Sequence, residues 1–137
     1  MLVFGGPKTN EVSKLFMRLL GEALPLTVKG ETIVWGTDVY EGEIRRGCVV
    51  RDYGFVVRVD NPLNRSRRIV LVGGCHTHGV VAAARWLAEN GGKLRTSKNI
   101  CVLVESDVLP DGHVIAPRVV RTKQIKIKGS RNEGHRK

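Results

Sequence analysis

A strand that ends in two glycines and leads into a helix occurs twice in this chain, and no other feature restricts its fold as strongly. Leu2–Phe4 is a short apolar run that stops at Gly5–Gly6, and Ile69–Val72 is a longer one that stops at Gly73–Gly74. A shift of 68 residues superposes the two glycine pairs. Such units are typical of parallel strands whose tight turns lie at one edge of a sheet. We therefore expect the two glycine corners to lie side by side.

Apolar periodicity predicts one helix after each glycine corner. The first helix begins near Asn10, a good N-cap residue, and ends at Gly21 and Pro25. The residues predicted to form its buried face are Val12, Leu15, Phe16, Leu19 and Leu20. The second helix ends at Asn90–Gly92, and its predicted apolar face consists of Val80, Ala83, Ala84, Leu87 and Ala88.

The segment between the two units has the pattern of β-structure. Glu31–Trp35 and Gly47–Arg51 are predicted strands. Asp52–Gly54 has the composition of a turn, so Phe55–Val59 is expected to form a hairpin with the strand before it. The loop 61–64 follows, and Asp38, Glu41 and Glu43 are interpreted as an acidic loop that can face the glycine corners.

The remaining strands follow the second helix. Ile100–Val104 is an apolar strand, with Glu105 and Asp107 expected to emerge at its carboxyl end. His113–Val120 returns after a turn, and Pro117 predicts that this returning strand lies at an edge. The chain is thus predicted to be an α/β domain with a Rossmann-like mixed sheet that has a parallel centre, two main helices and antiparallel flanking strands. This single domain covers residues 1–128, followed by a disordered basic tail over residues 129–137.

The formal net charge of +10 over 137 residues is concentrated at the C-terminal end. The segment Arg118–Lys137 holds eight basic residues against one acid, Glu133. Such a segment is compatible with a polyanion partner or with a solvated, solubilising end. If the partner is nucleic acid, the candidate contacts are Arg118, Arg121, Lys123, Lys126, Lys128 and Arg131.

Other features bound the class of protein. No stretch approaches the ~18 consecutive apolar residues of a spanning helix, and the first residues lack the pattern of a signal peptide, so we expect a cytoplasmic protein. Cys48, Cys75 and Cys101 are expected to be reduced, although a bridge between Cys48 and Cys101 is left open. A single glutamine, Gln124, beside abundant arginine and valine favours a thermophilic source.

The segment Gly73–Gly79 is the most informative candidate site, because a turn between a buried strand and a helix presents backbone N–H groups. It predicts an anion or phosphate site, or else a tight turn that only packs helix on sheet. A nucleotide P-loop is excluded because Val80 and Val81 stand where Lys and Ser/Thr are required, and no cofactor is expected. The predicted ligand-binding residues are Gly5, Gly6, Asn10, Gly73, Gly74, His76, Thr77, His78 and Gly79.

Cys75 beside His76 and His78 offers a second chemistry. Three soft ligands within four residues predict a zinc site if Cys101 or His113 adds a fourth ligand. A Cys75 thiolate at a helix N-terminus, paired with a histidine, is the alternative of a thiol enzyme. A buried cysteine that acts only as a small apolar residue is the remaining interpretation.

The turn Gly5–Asn10 resembles the G-G-P-x-x-N turn of archaeal S-layer-like proteins and their uncharacterised relatives. The segment from Asn61–Asn64 through Ile69–Val72, Gly74, Gly79 and Ala82–Ala84 is similar to the second half of that pattern. The resemblance implies a Rossmann-like α/β module without established catalytic residues. A cell-surface role would require export, for which no signal is visible. We expect a non-enzymatic module that binds a small anionic ligand or a protein partner at the two glycine corners, in an oligomeric state that the sequence leaves open.

Overall fold

The computed structural model describes residues 1–6, 10–94 and 99–126, except for the side chains of residues 93 and 94. These residues form an α/β fold in which a central mixed sheet is covered on both faces. In chain order the helices and strands are β1 Leu2–Phe4, α1 Glu11–Leu20, β2 Leu26–Lys29, β3 Thr32–Trp35, β4 Asp38–Glu41, β5 Glu43–Arg45, β6 Cys48–Asn61, β7 Asn64–Gly74, α2 Thr77–Asn90, β8 Ile100–Val108 and β9 Val114–Gln124. Short 3₁₀ turns at Gly21–Ala23 and Gly91–Leu94 follow the two helices.

The main sheet has the strand order β1-β7-β6-β8-β9, and β5 pairs with the first residues of β6. Only β1 and β7 pair in parallel among the described strands, with Phe4 beside Val72. All other pairs are antiparallel. The predicted parallel centre is therefore wrong. The parallel pair lies at the edge of the sheet, and its neighbour toward the centre is β6, which is antiparallel to both β7 and β8. The mixed sheet, the two main helices and the antiparallel flanking strands are confirmed.

Strand β6 corrects a second prediction. Asp52–Gly54 does not form a turn, and the strand runs through it for 14 residues. Asp52 is fully buried in this strand. Its carboxylate accepts hydrogen bonds from the backbone N–H groups of Tyr53 and Gly79. Phe55–Val59 consequently pairs with β7 and not with the preceding segment, and the hairpin turn lies between Asn61 and Asn64.

Two layers cover the sheet. Helix α2 lies on one face and buries Val56, Val72, Ala82, Ala83, Trp86, Val102, Val104 and Val114. The other face is covered by α1 and by a three-stranded antiparallel sheet, β2-β3-β4. Its core contains Phe16, Leu26, Ile33, Trp35, Phe55, Val57, Leu71 and Leu103. The acidic residues Asp38 and Glu41, interpreted as a loop, lie on β4 of this small sheet.

Helix α1 begins where predicted but buries only part of the predicted face. Ser13 is fully buried, together with Phe16 and Leu20. Val12 and Leu19, expected in the core, are each 44% exposed. The helix therefore lies rotated from the orientation that its apolar pattern predicts, because only part of its apolar face meets the sheet.

The edge position of β9 is confirmed by the strand order, and Pro117 lies on that strand. The predicted tail, residues 129–137, lies outside the described residues, as do Ile127 and Lys128. All three cysteines are free. Cys101 pairs with Val57, nine positions along β6 from Cys48, which is roughly 30 Å and far beyond disulfide reach. Within the described part of the chain, no helix has the length and apolar character to cross a membrane.

Candidate functional site

The two glycine corners meet at one rim of the main sheet, as the repeated unit predicts. The Gly5 N–H donates to the carbonyl of Val72 at 2.8 Å, which continues the parallel pairing past the end of β1. A methyl group on Gly6 would lie 4.0 Å from the Gly74 carbonyl oxygen. The two corners are thus neighbours in space, although 68 residues separate them in sequence.

A cavity of about 370 Å³ opens where the corners meet. Six of the nine predicted ligand-binding residues line it: Gly5, Gly6, Gly74, His76, Thr77 and His78. The rest of the described lining consists of Val28, Gly30, Glu31, Val49, Cys75 and Val80. A volume of this size is in the range of small-molecule sites. This cavity is called the rim cavity below.

The other three predicted residues do not line the cavity and have structural roles in the fold. Asn10 caps α1: its amide oxygen accepts from the N–H groups of Val12 and Ser13, and its amide nitrogen donates to the Phe4 carbonyl at 2.8 Å. A methyl group on Gly73 would overlap the Phe55 ring. Gly79 is buried in the first turn of α2.

Gly79 allows α2 to approach the sheet very closely. A methyl group on Gly79 would overlap the carbonyl of Tyr53, and one on Gly54 would overlap the carbonyl of Gly79. A methyl group on Gly74 would lie 2.6 Å from the Gly79 carbonyl carbon. Only glycine fits at these three contacts without moving the helix, so the close packing of helix on strands explains all three residues.

Asp52 caps α2 from the neighbouring strand. One carboxylate oxygen accepts from the Gly79 N–H at 2.6 Å, and the other accepts from the Tyr53 N–H at 2.8 Å. Burial raises the pKa of the Asp52 carboxyl, while these backbone N–H groups act in the opposite direction. The carboxylate takes the place of an N-cap side chain, since His76 at the N-cap makes no such bond.

The polar groups that face the rim cavity come from two layers. The His76 Nδ1 atom lies 3.4 Å from a Glu31 carboxylate oxygen, which joins the α2 corner to the small sheet. Thr77 and His78 are the first two residues of α2, so their N–H groups have no acceptor one turn earlier in the helix. Thr77 is exposed and lines the cavity. The cavity therefore offers N–H donors from the first turn of α2 and, from the small sheet, a carboxylate that reaches His76.

Cys75 is a buried wall residue of this cavity. Its thiol donates to the Tyr40 carbonyl at 3.5 Å. Burial raises the pKa of the Cys75 thiol to about 12, so the thiol is protonated at neutral pH. A thiol enzyme and a zinc site both require the deprotonated thiolate, which the buried position of Cys75 disfavours.

Over residues 1–6, 10–94 and 99–126, no group of three or more His, Cys, Asp or Glu side chains is arranged to hold a metal ion. Neither of the two candidate fourth ligands is among the residues that line the rim cavity. Cys101 lies in the core beneath the small sheet, and burial raises the pKa of its thiol. His113 pairs with Asp111 in the turn before β9.

The predicted nucleic-acid contacts divide into two groups. Arg118 pairs with Glu105 at 2.8 Å and with Asp107 at 3.3 Å. Arg121 bonds to Asp38 at 2.5 Å and lies over the Trp35 ring, 5.6 Å from its centroid.

In contrast, Lys123 and Lys126 are exposed, whereas Lys128 and Arg131 lie outside the described residues. The acids Glu105 and Asp107 do emerge beyond the Gly54–Gly74 level of the sheet, but they bind arginines there.

Sequence reasoning missed the contribution of the small sheet to the cavity. The turn Gly30–Glu31 and Val28 line it, and Gly42 lies against His76. The sequence signal for this hairpin is the turn Gly30–Glu31 between two short apolar runs. The local sequence does not indicate which part of the main sheet the hairpin packs against. No protein-family model matches the chain, and no curated protein or solved structure matches it either.

Proposed function

We propose that this chain is a binding module whose rim cavity takes a small ligand bearing an anionic group. The observation that carries the proposal is the cavity of about 370 Å³ at the point where both glycine corners and the first turn of α2 meet. Each corner, with its strand and helix, is the Rossmann-like part of the fold, and ligands of open α/β sheets bind beyond the carboxyl ends of such strands.

The donors of the cavity favour an anion at its α2 side. The N–H groups of Thr77 and His78 lie at the positive end of α2, and both residues line the cavity. Asp52 already binds the Gly79 N–H, so the anionic group is held by the two earlier N–H groups.

The opposite wall favours a ligand that also carries hydrogen-bond donors. Glu31 contributes a carboxylate that is 56% exposed, and Val28 and Val49 are apolar residues of the lining outside α2. A small molecule with an anionic group at one end and hydroxyl or amine groups at the other fits this division. Sugar phosphates and nucleoside monophosphates have that chemistry.

No step of this proposal uses a nucleophile or a general base. The Cys75 thiol is protonated at neutral pH, and the Asp52 carboxylate is committed to backbone N–H groups. We therefore infer binding without catalysis, and the Cys75-based thiol or zinc enzyme remains the alternative that rapid thiol alkylation or bound zinc would favour.

Thermal shift with inorganic phosphate, sugar phosphates and nucleoside monophosphates tests the proposal. A ligand that binds the folded state raises the melting temperature in proportion to the logarithm of its concentration over Kd. Thr77→Val removes the hydroxyl without changing shape and is expected to reduce the shift. Thr122→Val, at an exposed position of β9, is the matched control and should leave the shift unchanged. If no compound of the panel stabilises the chain, the small-ligand proposal fails and a protein partner at the same rim becomes the better account.

A further inference from the structure

The end of the main sheet opposite the rim cavity gathers cationic side chains. The register of the strands brings Arg58, Arg65, Arg67, Arg68, Lys123 and Lys126 to this end. Together these six are called the basic end. Arg65, Arg67, Lys123 and Lys126 are exposed. The acid of β6 at this end, Asp60, lies 3.7 Å from Arg68.

The other end of the same strands is balanced. Glu43, Asp52, Glu105 and Asp107 lie there with Arg45, Arg46, Arg51 and Arg118, so acids and bases are equal in number. Most of these arginines are bound by the acids, as in the contacts of Arg51 and Arg118 with Asp107. The net positive charge of the described strands is therefore concentrated at the basic end.

The cations of the basic end lie close enough to act together. Burial lowers the pKa of the Arg58 guanidinium, and the positive charge of Arg68 acts in the same direction. The β7 arginines and the β9 lysines are separated by β6 and β8, which is roughly 14 Å at the usual strand spacing. A polyanion can contact both groups at once, whereas a single small anion cannot.

We propose that the basic end binds the phosphodiester backbone of duplex nucleic acid without reading its sequence. Arginine forks suit phosphate oxygens, and a surface of several arginines and lysines is the electrostatic pattern of backbone binding. Single-stranded nucleic acid fits less well, because its bases commonly stack on aromatic side chains. The sequence has no Phe, Tyr or Trp between Val56 and Arg85 or after Trp86. An anionic membrane is the other extended polyanion, and the large apolar side chains of Met1, Leu2 and Leu63 are exposed near this end, so the test below includes vesicles.

Strand β6 supplies a matched control, because an arginine-bearing hairpin lies at each of its ends. Arg65 and Arg67 follow the β6–β7 turn, whereas Arg45 is the last residue of β5 and Arg46 lies in the β5–β6 turn. Fourteen residues of extended strand place the two hairpins roughly 45 Å apart. The double variants R65Q/R67Q and R45Q/R46Q therefore remove the same charge at opposite ends of the molecule.

The test is fluorescence anisotropy of a short labelled DNA duplex with the full chain, from about 50 to 200 mM salt. We expect R65Q/R67Q to weaken binding roughly tenfold and to reduce the slope of log K against log salt by about 2, since each lost phosphate contact removes about one counterion. R45Q/R46Q is expected to stay within about twofold of the unmodified chain, and circular dichroism checks that both variants fold.

Three results would overturn the proposal. Equal losses in both double variants would show that only the total charge matters. An unchanged affinity in R65Q/R67Q would move the contact elsewhere, for example to residues 127–137. Binding to vesicles of phosphatidylserine and phosphatidylcholine without binding to the duplex would make the partner a membrane surface. Thermal shift by small phosphates in R65Q/R67Q distinguishes this test from that of the rim cavity, because the two sites lie at opposite ends of the sheet.

Discussion

The two strand–glycine–helix units share one sequence pattern and differ in how tightly their helices are held. Helix α2 contacts β6 and β7 so closely that a methyl group on Gly74 would meet backbone atoms of Gly79 and Val80. Among the described residues, the nearest atom to a methyl group at the equivalent Gly6 would be the Gly74 carbonyl oxygen at 4.0 Å. The pattern therefore specifies a corner at the rim in both units, but the glycines determine close helix packing in the second unit alone.

The caps differ in the same way. Asn10 caps α1 from within its own unit, through bonds to Val12, Ser13 and Phe4. Asp52 caps α2 from another strand, so the second helix is joined to the sheet by a buried carboxylate. The α2 unit is thus the rigid side of the rim cavity, and the α1 unit is attached through fewer contacts.

The largest contrast is expected from equivalent alanine substitutions at the two corners. Gly74→Ala should lower the free energy of unfolding by about 3 kcal/mol or more, because backbone of α2 must move away. Gly6→Ala should change it by less than about 1 kcal/mol, since the nearest atom of the described residues lies 4.0 Å from the added methyl group. Urea denaturation of both variants measures the difference, and similar losses in the two would show that the corners are held alike.

Removal of the two caps should give a smaller contrast. Asp52→Ala is expected to cost about 2 kcal/mol, because the buried N–H groups of Tyr53 and Gly79 lose a charged acceptor. Asn10→Ala should cost about 1 kcal/mol, the usual value for an N-cap at the surface. Chemical denaturation of each variant is the measurement, and a larger loss for Asn10→Ala would reverse the assignment of the rigid side.

The titration of Asp52 sharpens the comparison further. Folding raises the pKa of the Asp52 carboxyl above 3.8, its ordinary value in an unfolded chain. At a pH between these two pKa values, the folded chain therefore keeps a proton on Asp52 that the unfolded chain releases. Its contribution to stability therefore falls as pH rises through that interval, by about 1.4 kcal/mol for each unit of pKa difference. Unfolding free energies of the unmodified chain and of Asp52→Asn, compared from acid to neutral pH, should converge toward acid. A difference that grows toward acid would contradict the raised pKa.

The smallest effect is expected on the outer face of α1. Leu19 is 44% exposed, so Leu19→Ala should cost less than about 1 kcal/mol. Phe16→Ala on the buried face of the same helix serves as the reference, with about 3 kcal/mol. Thermal unfolding of the pair checks the rotation of α1, and a Leu19→Ala loss as large as that of Phe16→Ala would restore the face that the apolar pattern predicts.

Much of the rim was predictable because it depends on local chemistry. Asn10 marked the start of α1, the glycine pairs marked both corners, and Pro117 marked the edge strand. The failures share one physical cause, which is long-range contact. Asp52 and Gly54 have the composition of a turn, yet they extend β6 because one caps α2 and the other leaves room for Gly79. The local sequence around Asp52 and Gly54 does not indicate either of these contacts with α2.

The candidate site was predictable in part for the same reason. The α2 side of the rim cavity comes from one continuous segment that includes Gly74 and Thr77, so its residues could be identified together. The opposite wall comes from Val28 and Glu31 on the small sheet, whose position depends on its packing over Phe55 and Leu71. Likewise, Arg121 was counted as a free cation, and only the fold pairs it with Asp38.

An amide NMR titration with a sugar phosphate tests the central claim most directly, because it reports both corners at once. If the rim cavity binds the anionic group, the amides of Gly5, Gly6, Thr77 and His78 should shift together and saturate with one Kd, while the amides of Arg65 and Arg67 stay unchanged. Shifts confined to the hairpin of Arg65 and Arg67, or no saturable shift at either glycine corner, would contradict the account.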